Sequence, residues 1–186
     1  MNFPTLETSR LYLREITDDD ASDIFEYLSD DTVTKYLGKE SLTNVDGAYE
    51  IINKIKINYN ERRGIRWGII HKESRKLIGT IGYDVLQVKN KRADVGYDIN
   101  SNYWRQGFAT EAINEVINWG FIKFDLNRIG SVVFPDNIAS LNLLKKIGFT
   151  KEGLLREYII QNNMERDTVV LSLLKKEYLA KVNKTV

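Results

Sequence analysis

The chain contains no cysteine, which excludes disulfide scaffolds, thiolate zinc sites and cysteine nucleophiles. It has one histidine, His71, so a metal site built from several imidazoles is excluded as well. No apolar run approaches the roughly 18 residues of a membrane-spanning helix. Met1-Asn2-Phe3-Pro4 is not the basic start of a signal peptide, and the expectation is a soluble, cytoplasmic protein with no membrane partner. Charge of one sign is missing too. Lys and Arg number 27 against 26 Asp and Glu, a net charge of +1, so no basic excess drives phosphate-backbone binding and nucleic acid is not an expected partner.

What is present is an ordinary globular composition, 42% hydrophobic and 28% charged over 186 residues. A chain of that size folds as one domain that buries about 70% of its unfolded surface. No repeat, linker or composition shift divides it, so residues 1–186 are read as a single domain with its core at 6–174 and fraying expected over 181–186.

Arg10-Leu11-Tyr12-Leu13-Arg14 alternates as a strand does. Thr17 and Asp20, then Thr43 and Asp46, give the T-x-x-D signal of a helix start, each followed by apolar residues at helical spacing. Strands are expected over 65–69, 77–85, 93–100 and 128–134, with a polar turn at 71–75. Helices are expected over 107–124 and 140–147, the second closed by Gly148. Residues 154–160 and 168–174 should pair as a hairpin about an Asn162-Asn163 turn. The acidic runs 18–20 and 30–31 read as helix-capping, solvated groups or as attraction for a cationic substrate.

The segment Trp104-Arg105-Gln106-Gly107-Phe108-Ala109-Thr110-Glu111-Ala112 follows a strand and opens a helix. Small residues at 107 and 109 allow close approach of the backbone, and the free N–H groups and dipole of the first turn suit a pyrophosphate. The same pattern also serves as a plain tight turn. Its spacing fits neither a P-loop nor a dinucleotide fingerprint.

Further motifs accompany that loop: Thr8-Ser9-Arg10-Leu11-Tyr12-Leu13-Arg14, Asp94-Val95-Gly96-Tyr97, Tyr103-Trp104, and the stretch from Asn137-Ile138-Ala139-Ser140 to Lys146-Ile147-Gly148-Phe149. In this ordered set the chain resembles the GNAT superfamily of N-acetyltransferases, and more narrowly its Rim-like branch, typified by ribosomal-protein N-terminal acetyltransferases. The resemblance covers residues 6–174. It implies an α/β (α+β) fold: a mixed, mostly antiparallel twisted sheet of about seven strands with about four flanking helices, and acetyl-CoA in a splay between the two central strands.

The resemblance also implies that the amides of Arg105, Gln106, Gly107, Phe108, Ala109 and Thr110 hold the pyrophosphate of acetyl-CoA. Trp104 stands where the family motif has Gln or Arg, which removes one polar side chain. Backbone groups of Tyr97, Asp98 and Ile99 would bond the pantetheine arm, with Asn137 beside it and Lys146 near the ribose phosphate. Asn137 also reads as a helix cap.

Acetyl transfer from a thioester to an amine needs a base for the amine and an acid for the leaving thiolate. It needs no protein nucleophile. The resemblance points to Asp94 for the base, with Asp98 a second candidate on the same strand face, and to Ser140 for the acid. Each has a plain alternative: solvated strand carboxylates for the two Asp, first-turn hydrogen bonding for Ser140, and for Tyr97 a core aromatic. The expected partners are acetyl-CoA and an amine acceptor, preferentially a peptide N-terminus. A small amine, a polyamine or an amino sugar remains an alternative, as does a CoA-binding sensor module without efficient turnover. Residues 36–63 and the terminal hairpin could shape the acceptor groove or a homodimer contact.

Overall fold

The computed structural model of the chain describes residues 3–183. Among them one sheet of eight strands runs in the order β1-β2-β3-β4-β5-β6-β8-β7. The strands are β1 Leu6–Glu7, β2 Leu11–Arg14, β3 Ile65–His71, β4 Leu77–Gln87, β5 Arg92–Ile99, β6 Arg128–Val133, β7 Thr150–Gln161 and β8 Met164–Leu174. The helices are α1 Ala21–Leu28, α2 Asp31–Thr34, α3 Asp46–Asn60, α4 Phe108–Lys123, α5 Ile138–Ile147 and α6 Lys175–Val182. Every neighbouring pair is antiparallel except β5 and β6. The arrangement is the expected mixed, mostly antiparallel one, with an added edge strand β1 and the short helices α2 and α6.

Alternation along the central strands sorts their side chains onto two faces. Leu13, Trp67, Ile69, Ile81, Tyr83 and Val95 pack with the α4 stripe Ala112, Ile113, Val116, Ile117 and Phe121. On the other face Ile70 and Leu77 pack with Ile24, Tyr27 and Leu28 of α1 and Ala48 and Ile52 of α3. The hairpin β7–β8 turns at Asn162 and Asn163, whose φ values of 54° and 56° are those of a two-residue turn matched to the strand twist.

Three sequence expectations are adjusted. The second T-x-x-D signal does not start its helix at Thr43: the cap is Val45, and Asn44 Oδ1 accepts from Gly47 N at 3.3 Å. Asp20 is buried, not solvated; it takes Arg14 at 2.7 Å and the Thr17 amide at 2.8 Å. Lys181 and Val182 belong to α6, while the last part of the tail expected to fray, 184–186, lies outside the described residues.

Candidate active site

The parallel strands β5 and β6 pair only at Arg92↔Arg128, Ala93↔Ile129 and Asp94↔Gly130. Beyond that point β5 stays with β4 as far as Gly79↔Ile99, and β6 stays with β8 as far as Val133↔Val169. A wedge therefore opens between them. Along a strand, main-chain groups face alternate neighbours. The Asn100 amide donates to Ile78 O at 2.8 Å, so Asp98 and Gly96 face β4 while Val95, Tyr97 and Ile99 face the gap. At the apex Ser131 Oγ donates to Val95 O at 3.2 Å, and at the mouth the Trp104 indole donates to Ile99 O at 2.7 Å. The Tyr97 amide and carbonyl lie between these two, opposite no strand, and offer a short edge to an extended amide-bearing arm.

Of the three residues expected to serve that arm, Tyr97 has this placement. Ile99 has its carbonyl already engaged, and Asp98 turns its main chain the other way. The Trp104 indole, which in sequence is only a lost polar group, here ties the mouth of the wedge to the loop that follows.

That loop is exposed at Arg105, Gln106 and Gly107 and dives inward at buried Phe108. Gly107 caps α4 at φ 85°, a left-handed conformation that favours glycine. Ala109 and Thr110 lie in the first turn, where the amides have no partner within the helix. With Arg105 also left-handed, at φ 59°, the chain folds back before a helix of 16 residues whose dipole favours an anion.

The two sides of the wedge apex carry different chemistry. On the α4 side Tyr97 Oη lies 2.7 Å from Ser140 Oγ. Burial pushes the Tyr97 phenol up to about 12, and the Ser140 contact only partly opposes this, so the pair holds its protons at neutral pH. Asn137 caps α5, its Oδ1 accepting from the Ser140 amide at 3.1 Å, and so fixes the backbone that presents Ser140.

On the opposite face stands Asp94, half-buried at the last rung before the strands part. Its carboxylate has no hydrogen-bond partner among the described residues. Burial raises its pKa, against the lowering pull of Arg92 and Arg128. Room for it comes from Gly130, where a Cβ would sit 2.3 Å from Asp94 Oδ1.

Asp98 shares the face with Asp94 but not its freedom. It is 9% exposed, accepts from Tyr27 Oη at 2.7 Å and from the Thr80 amide and hydroxyl at 3.0 Å, and has Arg66 at 3.5 Å. A carboxylate so engaged holds α1 to the sheet, whereas the Asp94 carboxylate is not so tied. Arg66 also pairs with Asp84 at 2.6 Å, an extra residue at a bulge in β4. Arg66 escaped the sequence reading, although a cation alternating with Ile65, Trp67 and Ile69 was a visible signal. Lys146 is exposed in the last turn of α5, roughly 12 Å along the axis from Ile138. Among the described residues no cluster of His, Cys, Asp or Glu could hold a metal, and no helix is long and apolar enough to cross a membrane.

Comparison with known proteins fits this geometry. The family model described as an acetyltransferase (GNAT) domain matches residues 10–150. The uncharacterized N-acetyltransferase YoaA of Bacillus subtilis (strain 168) is 50% identical over 173 residues, covering 93% of this chain and 98% of YoaA. Spermidine N-acetyltransferase from Vibrio cholerae, solved with CoA and spermine, superposes with a TM-score of 0.80 at 23% identity, over 92% of this chain and 99% of that one. Ribosomal-protein-S5-alanine acetyltransferase from Vibrio fischeri superposes with a TM-score of 0.77 at 22% identity, over 94% and 98%. At such identities these two structures establish a shared fold.

Proposed function

Because the chain belongs to the GNAT acetyltransferase family and is an N-acetyltransferase, we propose that it transfers acetyl from acetyl-CoA to the α-amine of a peptide N-terminus, as in the Rim-like branch. The observation that carries this reading is the apex of the wedge: a proton-bearing pair, Tyr97 and Ser140, on one face and on the other a carboxylate free of hydrogen bonds, Asp94.

In this reading the loop 105–110 holds the pyrophosphate through main-chain amides, and Tyr97 bonds the pantetheine amides along the open edge of β5. The acceptor approaches from the Asp94 side. Its nitrogen attacks the thioester carbonyl, forming the N–C bond. Asp94 takes the amine proton, directly or through one water, since its side chain is a methylene shorter than Glu. As the C–S bond breaks, Ser140 gives a proton to the thiolate and recovers one from Tyr97, which is reprotonated from solvent while Asp94 returns the amine proton to solvent.

The preference for an α-amine follows from proton occupancy. At pH about 7.4 an α-amine of pKa near 7.8 is roughly one-quarter neutral, whereas a lysine amine near 10.4 is about one part in a thousand neutral. An α-amine therefore asks less of its base than a lysine amine does.

The test is release of free CoA from acetyl-CoA in the presence of three acceptors: a peptide with a free N-terminus, the same peptide N-terminally blocked but containing lysine, and spermidine. Turnover is expected with the first only. Turnover confined to spermidine, or absent with all three while acetyl-CoA binds, would overturn the assignment of the acceptor.

A further inference from the structure

Thr8, Ser9 and Arg10 run just before β2, about a hundred residues from α4, yet they converge on its Glu111. Glu111 Oε1 accepts from Thr8 Oγ1 at 2.6 Å, Ser9 Oγ at 3.0 Å and the Arg10 amide at 2.8 Å. Its Oε2 takes Arg10 Nε at 2.7 Å. Burial alone would raise the Glu111 pKa, but these bonds outweigh it and hold the carboxyl down at about 2. A full negative charge is thus fixed one turn into the helix whose N-terminus would receive a pyrophosphate, where alone it would repel the ligand.

Arg10 offsets that charge, and its other arm does something a simple counter-ion would not. Nη1 donates to the Gln106 carbonyl at 3.0 Å, and the guanidinium lies 4.3 Å over the Phe108 ring. In a planar trans peptide the C=O of one residue and the N–H of the next point in opposite directions. Holding the Gln106 oxygen toward Arg10 therefore turns the Gly107 N–H away from Arg10. Gly107, at φ 85° and without a Cβ, accepts either sign of φ, so this peptide is one that could otherwise flip, replacing a donor with a carbonyl that would face the phosphate.

We infer that Arg10 is a positioning residue for the pyrophosphate loop: it locks the Gln106–Gly107 peptide in its donor-out orientation while neutralising Glu111. This rests on the acetyl-CoA reading above. It gives the Thr8-Ser9-Arg10 segment a task in cofactor affinity, separate from its place as the turn joining β1 to β2.

The test is calorimetric binding of CoA and of S-acetylpantetheine, which lacks the diphosphate, to the wild type and to Arg10→Lys. The lysine keeps a cation near Glu111, and so keeps the fold, but cannot also reach Gln106. CoA affinity should fall about tenfold, the loss of one hydrogen bond of charged type, with acetylpantetheine affinity unchanged. Unchanged CoA affinity in the variant, or an equal loss for both ligands, would overturn the inference. Arg10→Met, which retains the stem over Phe108, should show the same selective loss. If the wild type binds CoA no better than acetylpantetheine, it is the loop as a pyrophosphate site that fails, an outcome distinct from failure of the Arg10 role.

Discussion

Replacing Gly130 by alanine should displace the Asp94 carboxylate and leave the fold intact. The new Cβ would lie 2.3 Å from Asp94 Oδ1, whereas its approaches to Asp94 Cγ at 3.4 Å and Leu171 O at 3.7 Å are ordinary. The carboxylate, free of hydrogen bonds, must swing by about 1 Å. A displacement of that size at a reacting group costs roughly a hundredfold in rate, or about 2.7 kcal/mol on the barrier. Stability should change by less than about 1 kcal/mol, because removing a strand glycine lowers the entropy of the unfolded chain and offsets the side-chain shift. Gly130→Ala should thus melt close to the wild type while kcat falls by one to two orders of magnitude, with the KM for acetyl-CoA little changed. A well-folded variant that keeps kcat within about threefold would refute the placement of Asp94 at the reacting amine.

The other predictions concern protons. Since burial raises the Asp94 pKa, the acidic limb of kcat/KM should lie above the ordinary aspartate value, activity falling as pH drops through it; Asp94→Asn should abolish that limb, and a limb that persists would exclude Asp94 as the base. Ser140→Ala should lower kcat more than it raises KM, whereas a purely structural role, holding Tyr97 in place, would lower Tm and spare turnover. Tyr97→Phe should lower kcat by a smaller factor than Ser140→Ala, and a larger loss would reverse their order in the relay. Glu111, held at about 2 against an ordinary 4.5, contributes stability that is present above the unfolded value and lost as pH falls through this window. The Tm deficit of Glu111→Gln should therefore shrink as pH falls from 4.5 toward 2; a deficit independent of pH would show that charge is not its source.

Local patterns carried the long elements well. The stripe Ala112, Ile113, Val116, Ile117 marks α4, and consecutive asparagines mark the β7–β8 turn. The four residues of α2 are too few for a period, and α6 is mostly polar, so neither announced itself. The tight turn into α4 could be read because its requirement is local: small residues at a helix start. The distinction between Asp94 and Asp98 could not. Alternation places both on one face, but what separates them is Tyr27, 71 positions before Asp98, closing over one and not the other. Likewise Glu111 looks like an ordinary helical glutamate until strand pairing brings Thr8, Ser9 and Arg10 beside it.

The three rungs joining β5 to β6 have a mechanical consequence. Everything from β1 to β5 forms one plate and β6, β8 and β7 another, and each plate keeps its own ladders without help from its neighbour. Parting the strands beyond Asp94 breaks no rung, so the ladder bonds forgone there were forgone once, during folding.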